Sequence, residues 1–395
     1  MNQPYLQTTS TSGQGQPLQP YVHQNDLENP KDSPQFIRFS PVHQNIFAVG
    51  SWDQTLRLYE INQQFNNLSQ KASISLPHYP LSLDFKADGS GLFVSCGDMS
   101  IYQIDFATMT PQKVFSGNCQ ILFLWVFGQQ NLMLTINEAN LLSLSYLNNP
   151  SSSIYSLQLN YSATCLDVSD NVVLIGFSEN KFTFIDMNTI NLYGPNDVMY
   201  NESQLKSPLS AVAVNAGSKE FALGSCDGRV YKGIYSQNNQ NTGFGQVNKV
   251  IYGSFHNTND ATGNFVYIAH SKKRNDNTSD LFNISGLGFN KRSRNFLFSV
   301  GSDGVLNYWD IKEKNKIVFY NLGAPIISAT INSTGTYVAF GIGYDWSQGV
   351  WNLNQINYTP KIGFRPVGDN ELVFRQSGQP NTFNQPSLQL PPSNF

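Results

Sequence analysis

Charged side chains are scarce in this chain: 24 Lys+Arg and 27 Asp+Glu make up only 13% of 395 residues, against roughly 25% in an average globular protein. With a formal net charge of −3, the sequence excludes a protein that grips nucleic acid by bulk charge, while leaving room for a local basic patch. Long apolar runs are also missing. The longest, ILFLWVF at Ile121–Phe127, falls far short of the ~20 residues needed to cross a bilayer, so no membrane insertion is expected. The first twenty residues, MNQPYLQTTSTSGQGQPLQP, show neither the basic nor the apolar region of a secretory leader. Cysteine is sparse. Cys96, Cys119, Cys165 and Cys226 form no CxxC pair, which argues against a zinc site or a disulfide framework and fits a reducing compartment, cytosol or nucleus. No window sustains a 3.6-residue apolar period, so helix is expected to be nearly absent. Catalytic motifs are missing as well: there is no GxGxxG, Walker loop, GxSxG or HExxH, and the five histidines form no spaced ligand set. No cofactor, metal or small-molecule substrate is expected.

What the chain has instead is polar uncharged residues, aromatics and a repeat. Residues 1–31 and 371–395 are rich in Gln, Pro and Ser and read as disordered tails, because such segments bury too little apolar area to offset the entropy of ordering. A third polar stretch, with SQNNQNTGFGQVN at 236–248, reads as a surface insertion of about 236–262. Between the tails, over 32–370, one pattern recurs: an apolar strand, a short turn holding an acidic residue, then an alternating strand. It appears as AVGSWDQTLRLYEI from Ala48, FVSCGDMSIYQID from Phe93, MLTINEANLLSLSYL from Met133 and VLIGFSENKFTFIDM from Val173. It returns as FALGSCDGRVYKGIY from Phe221, LFSVGSDGVLNYWDI from Leu297 and, altered, VAFGIGYDWSQGVWNL from Val338. The acidic turn positions, Asp53, Asp98, Glu138, Glu179, Asp227, Asp303 and Asp345, are spaced by 45, 40, 41, 48, 76 and 42 residues. Repeats of this length with a strand–turn–strand core and GS…D…W signatures predict an all-β, seven-bladed WD-repeat β-propeller, the interval of 76 being one blade plus the insertion. Closing such a ring requires one terminus to finish a blade begun by the other; FIRFSP from Phe36 and TPKIGFRPV from Thr359 are both available strands.

Basic residues are unevenly placed. From Lys272 to Lys316 there are nine against five acidic ones, a local excess able to receive an acidic peptide or a phosphate backbone. Arg229 stands apart, since it directly follows the Asp227-Gly228 turn. It is therefore expected at the rim of one face of the disc, where a guanidinium can clamp a carboxylate.

FALGSCDGRV from Phe221, VGSDGVLNYWD from Val300, APIISATINSTGTYVAFGIGYDWSQG from Ala324 and NELVFR from Asn370 resemble the WD-repeat mRNA export factors of the Rae/Gle type, nucleoporins that dock on the GLEBS segment of an FG-repeat nucleoporin. Weaker similarity extends back through LDFKADGSGLFVSC and VGSWDQTLRLYEI, to about residue 32. The most specific piece is YDWSQG, because the sister family, the Bub-type spindle-checkpoint propellers, shares the GRV and GSDG elements but differs there. The resemblance implies a non-enzymatic adaptor of the nuclear pore complex and nuclear envelope supporting mRNA export, with a cytoplasmic pool. Its implied partners are a GLEBS-bearing nucleoporin and mRNA or RNA–protein particles met through a basic patch. Alternatives are a Bub-type checkpoint adaptor and, from another class, a propeller hydrolase with carboxylates in its channel. In the family the Arg of the GRV element engages a glutamate of the partner, and Arg229 matches it. A second basic residue normally follows a Cys-His pair; here FVYIAHSKKR has His270 but Ser271 at that position, with Lys272, Lys273 and Arg274 just beyond. A shifted lysine there is a looser point charge. The third repeat, TINEANLLSLSY, has lost the GSWD pattern.

Overall fold

The computed structural model describes residues 19–25, 28–190, 198–236, 246–247, 264–293, 295–346, 349 and 359–368. No α-helix occurs among them. Seven antiparallel four-stranded sheets follow one another along the chain, the fifth carrying one extra short strand and the seventh completed by a strand from the N-terminus. Their first strands, Pro34–Phe39, Pro80–Phe85, Ile121–Phe127, Ala163–Ser169, Leu209–Asn215, Ile284–Phe289 and Ile326–Ile331, contribute side chains to one shared central cavity of about 310 Å³. The sheets are therefore the blades of a propeller, numbered 1 to 7 from Pro34.

The acidic repeat turns join the second and third strands of blades 1 to 6. In each, the last turn residue is left-handed: Gln54, Met99, Asn140, Asn180, Gly228 and Gly304 have φ between 60° and 75°. Gln54 N and Gly304 N donate to the carbonyls three residues back, Ser51 and Gly301, at 3.1 Å each. This combination, a tight turn followed by a left-handed residue, matches strand twist and selects Gly or Asn at that place. All six turns lie on one face of the disc, called here the turn face, because every blade starts with the same strand direction and simple antiparallel pairing returns the same connection to the same side.

Hydroxyls near the start of the first strands join blade to blade. Thr164 donates to Leu209 O and Ser210 to Ile284 O, both at 2.7 Å; Ser285 donates to Ile326 O, and Ser328 to Pro34 O at 2.6 Å. The last of these crosses the ring closure. Closure itself is made by Tyr21–Val22, which pairs with Lys361–Pro366 as the outermost strand of blade 7, with Tyr21 opposite Phe364. The N-terminal polar stretch therefore contributes to the propeller from residue 21, not from residue 32, because the exposed edge of Lys361–Pro366 supplies the hydrogen-bond partners that the stretch cannot provide for itself.

Blade 7 departs from the repeat in a second way. Its third strand is Lys361–Pro366, paired residue for residue with Tyr337–Ile342 and separated from it by residues that lie mostly outside the described ones. The 76-residue interval is explained as expected: the fourth strand of blade 5, Phe265–Ile268, pairs with Arg229–Ser236 across the insertion. Within that insertion Gln246–Val247 pairs with Tyr235 and Ser236. Residues 1–18, most of 236–262 and 369–395, to which the sequence assigns tails and insertion, lie outside the described residues.

Candidate partner-binding face

Arg229 begins the third strand of blade 5, immediately after Gly228. Its Nη1 donates to Asp227 Oδ2 at 2.6 Å, while 40% of the side chain stays exposed. Asp227 is itself fixed by the hydroxyl of Ser225. The turn therefore holds the guanidinium by one edge and presents the rest toward the turn face. In register with Arg229, on the neighbouring strand, stands Ile268, half exposed at 50%. A cation beside an exposed β-branched side chain suits a segment carrying an acid next to an apolar residue.

The structure brings the predicted lysines to the same turn. Ala269 N and His270 N both donate to Gly228 O, at 2.8 and 3.2 Å, and from there the chain enters a small hairpin, Ser271–Lys273 paired with Ser279–Leu281. This hairpin carries Lys272, Lys273 and Arg274. Arg274 is ion-paired to Asp280 within it, and Lys272 stands opposite Asp280 in register. The hairpin is thus partly neutralised by its own acids, and its charge is weaker than the run KKR suggests.

The basic excess from 272 to 316 does not form one patch. Lys291 and Arg292 sit at the turn between the first two strands of blade 6, and Lys312, Lys314 and Lys316 at or just after its third turn; both turns belong to the face opposite Arg229, as the bond from Ile311 N to Asn295 O at 2.8 Å shows. Residues adjacent in sequence are split between faces because each strand crosses the disc. Arg292 is structural, bonding Gly335 O and Val367 O of blade 7. Lys314 lies 5.2 Å from the ring centre of Phe265, and Lys316 lies 5.0 Å from that of Trp309 and 5.2 Å from that of Phe319. Arg294 lies outside the described residues.

Two features escaped the reading of the sequence. His270, fully buried, places Nδ1 2.8 Å from Asp303 Oδ1 and Nε2 2.9 Å from Ser299 Oγ, which also accepts the indole N–H of Trp309 at 3.0 Å. One chain of donors satisfies all four groups if Trp309 donates to Ser299, Ser299 to His270, and Nδ1–H to Asp303. This network clamps the base of the hairpin to blade 6. The second feature is aromatic. On the turn face Trp52 of blade 1 stacks on Trp346 of the blade 7 turn, 5.7 Å between ring centres, and lies 6.0 Å from Tyr79, just before blade 2. The Trp beside an Asp in both WD-like turns, SWD at 51–53 and DWS at 345–347, was the available sequence signal.

No family model matches the chain. Its sequence is 25% identical over 364 residues to the mRNA export factor GLE2 of Chaetomium thermophilum, covering 89% of this chain and 93% of that protein. It is 25% identical over 333 residues to the mRNA export factor rae-1 of Caenorhabditis elegans, covering 81% and 82%. Among solved structures, that of U3-55K superposes with a TM-score of 0.65 at 11% identity, over 88% of this chain and 98% of the other, a likeness of fold alone. Over most of its length, then, this chain is a seven-bladed WD-type β-propeller similar in sequence to the mRNA export factors of the Rae/Gle type.

Proposed function

We propose that the protein is a non-enzymatic adaptor in mRNA export, working at the nuclear pore, that receives an acidic GLEBS-type segment of a nucleoporin on its turn face through Arg229. The observation that carries this reading is the braced, half-exposed guanidinium of Arg229 beside exposed Ile268. A fixed fork loses little side-chain entropy on clamping a carboxylate. Lys272 and Lys273 add longer-range attraction, felt in the association rate and its salt dependence. The test is a fluorescence titration of a GLEBS-type peptide with the purified chain at two ionic strengths. Saturable binding that weakens with salt supports the reading; the absence of binding overturns it.

The opposite face supports a second contact. Lys314 and Lys316, anchored over the buried rings of Phe265 and Trp309 and lying beside exposed Phe319, offer two cations and one accessible ring to single-stranded RNA. A single-stranded RNA titration with and without Lys314→Ala and Lys316→Ala tests this contact separately from the peptide.

A further inference from the structure

Blade 3 is filled on one side and hollow on the other. Its third strand, Leu141–Tyr146, reads LLSLSY; Leu142 and Leu144 enter the core shared with blade 4, so Ser143 and Ser145 face blade 2. The interface between blades 2 and 3 is left with a slot of about 270 Å³, floored by Phe115, Ile121 and Met133 and walled by Ser143, Ser145 and Ser153. At ~30 Å³ per water the slot has room for about nine, enough for a phenyl ring with its peptide. None of its lining residues carries charge. A guest must therefore be uncharged, with an apolar tip for the floor and amide or hydroxyl groups for the walls.

This chain carries such a guest. From Gln376 to Phe395 no side chain is charged, and the segment NTFNQP at 381–386 places Phe383 among Asn, Thr and Gln. The geometry permits the approach. Pro366 pairs with Tyr337 and Val367 N donates to Thr336 O, so the chain leaves blade 7 on the face opposite the acidic turns. The Ser145 end of the slot opens toward that same face, since Leu147 N donates to Asn131 O there. The fifteen residues from Gly368 to Phe383 reach ~50 Å when extended. Blades of four strands at ~4.8 Å spacing set a crossing from blade 7 to blades 2 and 3 of roughly 40 Å or less. We infer that the C-terminal segment around Phe383 docks in the slot between blades 2 and 3 of its own propeller. The first eighteen residues are also uncharged, but their aromatic, Tyr5, would bring a hydroxyl to a floor of aliphatic and phenyl groups.

Cys119, partly buried at the turn-face end of the slot, across from the Ser145 end where the chain arrives, is the reporter of a guest that fills the slot along its length. Cys96 and Cys165 are buried, and Cys226→Ser removes the exposed thiol. In that background, alkylation of Cys119 in the full chain is expected to be at least fivefold slower than in a chain ending at Arg375. Phe383→Ser should release the thiol as the truncation does, and added peptide 376–395 should restore protection to the truncated chain. Equal rates with and without the segment overturn the inference. So does release on deleting 1–18 alone, or protection that depends on protein concentration, which assigns the occupant to the other terminus or to a second copy.

Discussion

Arg229 Nη1 lies 2.6 Å from Asp227 Oδ2 across a single turn, so the cation proposed to receive a partner's carboxylate already holds one. A forked guanidinium can serve both acids at once, one from each edge, in a fixed planar geometry. Arg229→Ala is therefore expected to weaken a GLEBS-type peptide by tens-fold or more. Arg229→Lys should lose nearly as much, because an ammonium on a flexible stem drawn to Asp227 cannot also present a rigid bidentate edge to the partner. Both should leave Tm within a few degrees of wild type, since the guanidinium sits at the rim with 40% of the side chain exposed. Wild-type affinity in the lysine variant would remove the two-edged role.

Lys272→Ala is expected to act differently. Its neighbour in register is Asp280, and the hairpin already neutralises Arg274. The substitution should change the equilibrium affinity less than about threefold at physiological salt and flatten its salt dependence. An effect as large as that of Arg229→Ala would make Lys272 a direct clamp.

His270→Ala should be destabilising by about 2 to 4 kcal/mol. It strips buried Ser299 and partly buried Asp303 of their common partner. Chemical denaturation should show a lower midpoint with little change in slope, and peptide affinity should fall only as far as the hairpin loosens from Gly228. A midpoint equal to that of wild type would deny the clamp its stabilising role.

Gly304→Ala tests the turns. A Cβ there would stand 2.6 Å from Ala324 O, at a φ of +74°, so strain and collision add. The substitution is expected to cost more than the ~1 kcal/mol of conformational preference alone. Met99→Gly, at the same turn position in blade 2, relieves a left-handed side chain and should be neutral or slightly stabilising. Thermal unfolding of the two variants, compared with wild type, gives the signs.

Asp84 links blades 2 and 3 by accepting Val126 N–H at 2.8 Å. Burial pushes its carboxyl up to about 6, against the opposing pull of Arg38 and of the hydrogen bonds from Val126 and Phe85. A raised carboxyl favours the protonated form in the folded state. Its stabilisation is complete below the unfolded value near 4 and is lost as pH rises through about 6. Lowering the pH from 7 to 5 should thus add about 1 kcal/mol in wild type that Asp84→Asn does not gain. Identical pH profiles in denaturant titrations would show that Asp84 does not titrate in this range.

The blade count was legible in the sequence because six blades repeat a local cause, an acidic turn closed by a left-handed residue between two apolar strands, and the seventh keeps the acidic position, Asp345. Arg229 was legible for the same reason: its position one residue after Gly228 is fixed by that turn and by nothing distant. Ring closure by Tyr21–Val22 was not, because two residues in a polar stretch become a strand only against the free edge of Lys361–Pro366. Nor was the true third strand of blade 7, since a seventeen-residue separation from Ile342 to Thr359 hides which segment pairs. The split of the basic run between faces, the buried clamp of His270 and the slot beside Ser143 and Ser145 were decided by strand direction and by neighbours far away in sequence. Local chemistry determined the blades and their turns; the ring determined which side chains meet.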